Sequence, residues 1–363
     1  MSGPVEHLSG RLVSRFPWVS GPLIVGAPMR VLAGPKLAVS ISAAGGLGFL
    51  GPAVKTKSMG DDLEEARKLI HDAPEFRRAL GAEPTNCALP IGVGFQLWSD
   101  DLPTASDLIK QYRPSVAWLF APKDDPEDYI AWSSEIRRAF SGISIWIQIG
   151  TVAEALRLLD LPAPPDALVV QGAEAGGHGH ATDGMGLMTL LPEIADAVQK
   201  RRSEMQLLGA GGIANGRGAA AALCLGADGV AMGTRFLAAT EARISRGYQR
   251  EIVRASDSGV STTRTVLYNQ LRGTVGWPKH YAPRTIINRS YVDYLAGTPF
   301  ETLQALHDEA LTRGEEAWGP EGRTATYAGA SVGLIHDVRD AASLVQNIRD
   351  ETKRILGLQR EKL

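Results

Sequence analysis

The densest chemistry in the chain is the run Gln171-Gly172-Ala173-Glu174-Ala175-Gly176-Gly177-His178-Gly179-His180. A histidine set among glycines has few neighbouring side chains to bury it, and its titration range suits proton transfer. His178 is therefore the candidate acid–base residue, while His180 is read as solvated. Two further turns, Ala210-Gly211-Gly212-Ile213-Ala214 and Ala231-Met232-Gly233-Thr234-Arg235, each follow an apolar run. Glycine there lets backbone N–H groups approach an anion, and a helix opening after the turn adds the positive end of its dipole. Two such turns in successive units point to a ligand that carries phosphate.

His178-Gly179-His180 also has the spacing of a metal-binding pair. A metal-dependent hydrolase needs further ligands from other strand ends. His7, His71, His280, His307 and His336 all fall outside the expected strand ends, so no metal is expected. Cys87 and Cys224 are the only cysteines, too few for a disulfide framework or a cysteine-based zinc site. Gly46-Leu47-Gly48-Phe49-Leu50-Gly51 matches the dinucleotide fingerprint, which must follow a strand and open a helix. Here an expected helix, Pro35–Ala44, precedes the motif and the motif is itself a strand. A Rossmann dehydrogenase is not supported.

These turns need a scaffold that presents strand ends side by side. Short apolar runs occupy Leu23–Met29, Gly46–Leu50, Ile91–Leu97, Val116–Phe120, Ser144–Gly150, Ala167–Gly172, Gln206–Gly211 and Gly229–Thr234. Several are apolar almost throughout, as parallel strands covered on both faces must be. Helical stretches alternate with them. Thr151 and Glu154 form a capping box for a helix over Ala153–Leu159, Met188–Arg201 is helical, and the Ala-rich Gly216–Leu225 stops at Gly226. The eight strands recur at about 27 residues per repeat, the length of a β-then-α unit. An α/β (β/α)8 TIM barrel is the simplest architecture, with an open doubly wound sheet as the alternative. In such barrels the site lies at the C-terminal ends of the strands, and phosphate commonly sits after strands seven and eight, where both glycine turns fall.

The barrel is assigned to residues 1–240, with a polar insert at about 55–90 that contains a helix around Leu63–Leu80. Residues 241–363 form a long, mainly helical C-terminal extension packed on the barrel. Its expected helices are Thr302–Arg313 and Asp340–Leu356, with an irregular, aromatic and basic middle, Tyr268–Tyr294; whether that middle closes over the mouth is left open by the sequence. In that middle, Arg272, Lys279 and Arg284 read either as a nucleotide-phosphate contact or as a solvated face.

Composition excludes several classes. The 363 residues carry 38 basic and 40 acidic side chains, a net charge of −2 with no block of one sign. This is not the basic footprint of a nucleic-acid binder. No apolar run approaches the ~20 residues of a membrane helix, and Met1–Leu8 lacks the order of a secretory signal. The ending Glu361-Lys362-Leu363 is similar to a peroxisomal address, but Glu361 is acidic where a small residue is wanted. A cytoplasmic location is expected.

Ala27-Pro28-Met29, Ala44-Gly45-Gly46-Leu47-Gly48, the run Gln171 to His178, Ala210-Gly211-Gly212-Ile213 and Met232-Gly233-Thr234-Arg235-Phe236 together resemble the nitronate monooxygenases, formerly 2-nitropropane dioxygenases. The resemblance spans Leu23 to Ala239 in order and is nearest to fungal-type members. It implies an FMN-binding barrel that oxidises alkyl nitronates or nitroalkanes with dioxygen to a carbonyl compound and nitrite. It places the flavin phosphate at Gly211, Gly212, Gly233 and Thr234, with Gly177, Ala231 and Met232 as further cofactor-binding positions. It places ring contacts at Met29, Gln171 and Gly176, a further cofactor-binding position at Ala27, and the base at His178. Bacterial members often carry Gly-Val-Asn after the third strand; here Gly92-Val93-Gly94-Phe95-Gln96 leaves Gln96 as the candidate contact. Ala231 stands where Gln is frequent. Gln148, ending the fifth strand, is a candidate donor to the flavin's pyrimidine edge or a polar residue of the barrel layer. Nitronate or nitroalkane and dioxygen are the expected partners, with a homodimer left open.

Three other functions share parts of this pattern. A sister FMN reductase of the same barrel family, resembling enoyl-thioester reductases, would take hydride from NAD(P)H. A flavin-free barrel could act on an organic phosphate as a lyase or isomerase. A specialised FMN oxidase of secondary metabolism would use the same base and flavin.

Overall fold

The computed structural model describes residues 15–76, 88–182 and 184–357. Met1–Leu8, Cys87, Glu361–Leu363 and the end of the expected insert helix, 77–80, lie outside them. Eight parallel strands form the barrel: β1 (Leu23–Gly26), β2 (Phe49–Leu50), β3 (Leu89–Gln96), β4 (Pro114–Phe120), β5 (Ser144–Ile149), β6 (Ala167–Gln171), β8 (Gln206–Ala210) and β9 (Gly229–Met232). They lie in the order β1-β9-β8-β6-β5-β4-β3-β2. The ring closes where Val25 of β1 bridges Leu47, just before β2. There the Leu47 N–H donates to Ile24 O and the Gly26 N–H donates to Leu47 O, both at 3.0 Å. The TIM barrel read from the alternating elements is the observed fold. Gly46–Gly51 runs into β2 after the helix Pro35–Ala43, so it has no dinucleotide-binding context.

Large side chains fill the barrel interior. Phe16, Trp146, Phe49 and Trp118 pack edge-on or tilted in succession, with centroid separations of 6.3, 5.5 and 5.3 Å. All four are buried. Aromatic pairs at these spacings add to the stabilisation from area burial alone. Trp118 ends the column as part of the cavity floor, and its indole N–H donates to Gln148 Oε1 at 3.0 Å.

The helix of the insert spans Met59–Asp72. It starts before the expected Leu63 because Asp61 and Asp62 occupy its first turn, where carboxylates favour the positive end of the helix dipole. The capping box is present on Val152–Leu159, with both reciprocal bonds formed between Thr151 and Glu154. Among the described residues no helix is long and apolar enough to cross a membrane.

The chain leaves the barrel after the short helix Thr234–Leu237 and returns with Ala341–Ile355. That last helix packs against Gly216–Cys224 and Pro35–Ala43, in the ring position that follows β9. Glu351 there accepts from the Gly216 N–H at 2.7 Å, and Arg349 donates to Ala44 O at 3.0 Å. Between the two points stand helices Arg246–Arg254, Leu267–Leu271, Arg289–Leu295 and Phe300–Leu311, with β10 (Thr262–Arg264) and β11 (Tyr281–Ile286).

The expected irregular middle, Tyr268–Tyr294, is in fact ordered as helix, strand and helix. β11 pairs antiparallel with β10 and, on its other edge, with β7 (Gly177–His180). Tyr281 lies opposite His180 and Pro283 opposite His178. The sequence of β11, Tyr-Ala-Pro-Arg-Thr-Ile, lacks strict alternation and contains proline, so it carries little local strand signal. Of its two partners, β7 is about a hundred residues away in the chain.

Candidate functional site

A cavity of about 510 Å³ opens at the C-terminal ends of the barrel strands. Every residue that the sequence assigns to the flavin or to proton transfer lines it: Ala27, Met29, Gln96, Gln148, Gln171, Gly176, Gly177, His178, Gly211, Gly212, Ala231, Met232, Gly233 and Thr234. The residues after β8 turn sharply, with φ of +93° at Gly211 and +74° at Gly212. A Cβ on Gly211 would lie 2.9 Å from Gly172 O, so this turn requires glycine twice over, by conformation and by space. Helix Gly216–Cys224 follows, capped by Asn215, whose Oδ1 accepts from the N–H groups of Arg217 and Gly218. After β9, Gly233 faces open space bounded by Met29, and the Thr234 hydroxyl oxygen accepts from the Gly329 N–H at 3.0 Å.

Polar side chains around the wall differ in what they have left to offer. Gln96 Oε1 is buried without a partner. Gln148 accepts from Trp118 through its oxygen, so its amide NH2 is the group left to donate. Gln171 donates through Nε2 to His178 O at 3.2 Å and thereby ties β6 to β7.

His178 is not the loosely packed turn residue its glycine neighbours suggest. It lies on β7, and Trp277 stacks on its ring with centroids 3.5 Å apart and planes 5° from parallel. Its Nε2–H donates to Asn269 Oδ1 at 3.0 Å. Burial lowers its pKa to about 3; Arg264, Arg272 and Arg30 push the same way, against the bond to Asn269. At neutral pH it is an uncharged imidazole. His180 is likewise corrected from solvated to mostly covered: its side chain is 10% exposed and donates through Nε2 to Glu154 at 3.2 Å. The two histidines of the His-x-His pair thus face different partners.

The segment between Leu237 and Ala341 roofs the cavity, contributing Arg243, Tyr248, Arg272, Trp277, Trp318 and Tyr327 among others. Of the stretch Tyr268–Tyr294, whose closure over the mouth the sequence leaves open, Arg272, Thr274 and Trp277 line the cavity; Trp318–Ser331 has no motif to mark it and was missed. Arg272, Lys279 and Arg284 do not form one face. Arg272 lines the cavity and donates to the Tyr327 hydroxyl at 2.7 Å; Arg284 turns inward to Ala173 O and Thr262; Lys279 is exposed. Arg264, also missed, donates to the carbonyls of Gly177, Ala282, Ala173 and Ala175. It fixes the whole bend between β6 and β7.

The family model for nitronate monooxygenase matches residues 105–347. The chain belongs to the nitronate monooxygenase family. It is 51% identical over 345 residues to the nitronate monooxygenase npaC of Metarhizium robertsii, covering 95% of each chain. It is 34% identical to the nitronate monooxygenase of Neurospora crassa, covering 94% of this chain and 92% of that one. Among solved structures, FabK from Thermotoga maritima superposes with a TM-score of 0.70 at 24% identity, covering 96% and 97% of the two chains. Nitroalkane oxidase from Streptomyces ansochromogenes gives 0.70 at 22%, covering 96% and 99%. As a nitronate monooxygenase family member, the protein is an oxidoreductase that uses FMN.

Proposed function

We propose that the protein oxidises alkyl nitronates, and more slowly neutral nitroalkanes, with dioxygen to a carbonyl compound and nitrite, at the cavity beneath Trp277. The observation that carries this reading is the state of His178: an uncharged imidazole in a cavity flanked by two glycine turns, with arginines around it. The cavity wall fits FMN. The turns at Gly211–Gly212 and Gly233–Thr234 would hold its phosphate, to which the Thr234 hydroxyl could donate. The unpartnered Gln96 oxygen and the Gln148 amide would be available to its ring, and Ala27, Met29, Gly176, Gly177, Ala231 and Met232 would line the space it takes. Bound there, FMN supplies the redox chemistry, taking electrons from the substrate and passing them to dioxygen.

His178 removes the proton α to the nitro group of a neutral nitroalkane. The C–H bond breaks, the proton goes to the imidazole, and the electron pair moves onto the nitro oxygens. An imidazole whose conjugate acid has a pKa of about 3 is a weak base, so this step is slow. A nitronate arrives already deprotonated and is drawn by Arg30, Arg264 and Arg272, whose charge penalises an imidazolium in the same space. The site is therefore better matched to the anion.

Anaerobic mixing tests the reading. Flavin bands that bleach or shift with an alkyl nitronate, and ignore NADH and NADPH, support it. Rapid bleaching by a nicotinamide alone moves the assignment to an FMN reductase. Bleaching by neither directs the search to a specialised FMN oxidase.

A further inference from the structure

We propose that Asn269 is the positioning residue for His178, holding the imidazole as the Nε2–H tautomer so that Nδ1 is the atom presented to the cavity. A side-chain amide oxygen only accepts, so the 3.0 Å contact between Asn269 Oδ1 and His178 Nε2 requires the hydrogen to sit on Nε2. In a neutral imidazole the other ring nitrogen then carries the lone pair. Asn269 is itself well placed to hold this role. It is 6% exposed, sits in the helix Leu267–Leu271, and its backbone carbonyl accepts from the Thr274 N–H at 2.9 Å. The residues from Thr274 to Trp277 are thereby tied to it, and the stacked Trp277 fixes the plane of the His178 ring while Asn269 fixes its rotation.

Charge sharpens the choice of an amide. The groups facing His178 are Arg30 after β1, Arg264 on β10, Arg272 after the Leu267–Leu271 helix, and the Tyr327 ring at 6.2 Å. A carboxylate at position 269 would pair with a protonated imidazole and hold it charged. Asparagine accepts the same hydrogen bond without stabilising that charge to the same degree. It keeps His178 able to receive a proton.

This assignment rests on His178 acting as the base, and the experiment separates the two claims. His178 is followed by long-range 1H–15N spectroscopy on the FMN-loaded protein labelled with 15N-histidine, its signals identified by their loss in His178→Asn. The expected spectrum has Nε2 protonated and Nδ1 unprotonated. Asn269→Leu is expected to mix the tautomers and to lower kcat/KM for a neutral nitroalkane by about tenfold or more, with a smaller loss for the nitronate. The isosteric Asn269→Asp, which preserves packing, is expected to make His178 charge at higher pH and to move the acid limb of the nitroalkane profile upward. A wild-type spectrum with the proton on Nδ1 overturns the proposal. So does a tautomer and pH profile unchanged in both variants. A tautomer that shifts in Asn269→Leu while nitroalkane turnover stays level in that variant and in His178→Asn leaves the positioning intact and removes the base.

Discussion

His180 donates to the carboxylate of Glu154 at 3.2 Å, and that same carboxylate closes the capping box of helix Val152–Leu159 by accepting from the Thr151 and Gly150 N–H groups. Burial would raise the Glu154 pKa; the bonds from His180, Gly150 and Thr151 outweigh it and hold the group below the ordinary carboxylate range. One side chain thus joins a barrel helix cap to β7, the strand that carries His178. Glu154→Gln keeps the shape but replaces one acceptor oxygen by a donor facing N–H groups. It is expected to cost about 1–3 kcal/mol, the usual penalty for leaving buried polar groups unsatisfied, read as a lower denaturation midpoint with unchanged slope.

His178→Asn is expected to cut turnover of neutral nitroalkanes by about 10²-fold or more, the range of a lost general base. FMN content should be retained and nitronate oxidation less affected. Parallel rates on the two substrates across a shared set of alkyl groups check this; equal loss on both would remove the proton-transfer role.

The two glycine turns should respond differently to a side chain. At Gly233 an added Cβ comes no nearer to any atom than Met29 Sδ at 3.6 Å, an ordinary contact. Gly233→Leu is therefore expected to fold and to lose FMN on dialysis, because its side chain grows into the cavity. At Gly211, with φ of +93° and Gly172 O in the way, even alanine is expected to destabilise the fold by about 1–2 kcal/mol from backbone conformation alone. Flavin content and melting temperature measured together separate the cases.

His178 also predicts a slope of stability with pH. Its pKa is about 3 folded against the ordinary histidine value of 6.5, so between these values the unfolded chain binds more protons. Stability contributed by keeping it neutral is present above about pH 6.5 and is lost as pH falls toward 3. Chemical denaturation of the apoprotein at about pH 7 and about pH 5 should show a smaller drop in His178→Asn than in the parent.

The barrel was legible because its strands are buried on both faces, so β1, β4, β5 and β6 read as apolar runs ending in glycine or a polar turn. The cavity lining followed, since barrel geometry gathers strand ends whatever the loops do. The environment of His178 was not legible. Trp277, Asn269 and Arg264 lie about ninety residues downstream and reach it through the pairing of β11 with β7, which no local periodicity encodes. The capping box at Glu154 was visible, but its second partner, His180, was not, because a glycine-flanked histidine looks solvated until another strand covers it. Gly94 shows the converse: the departure from Asn has a packing reason, since a side chain there would collide with Pro28.

The place where the chain leaves the barrel and the place where it comes back lie side by side, Ala239 bridging Arg339 with the Thr240 N–H donating to Arg339 O at 2.9 Å. Topologically the roof is a cassette with both ends anchored on one hinge point, and the helix Ala341–Ile355 beyond it is a stave of the ring. Shortening the protein from its C-terminus would therefore open the barrel before it uncovered the cavity. Exchanging the cassette whole between relatives, cut at these two adjoining residues, would change what the cavity admits while leaving the glycine turns and the closed ring in place.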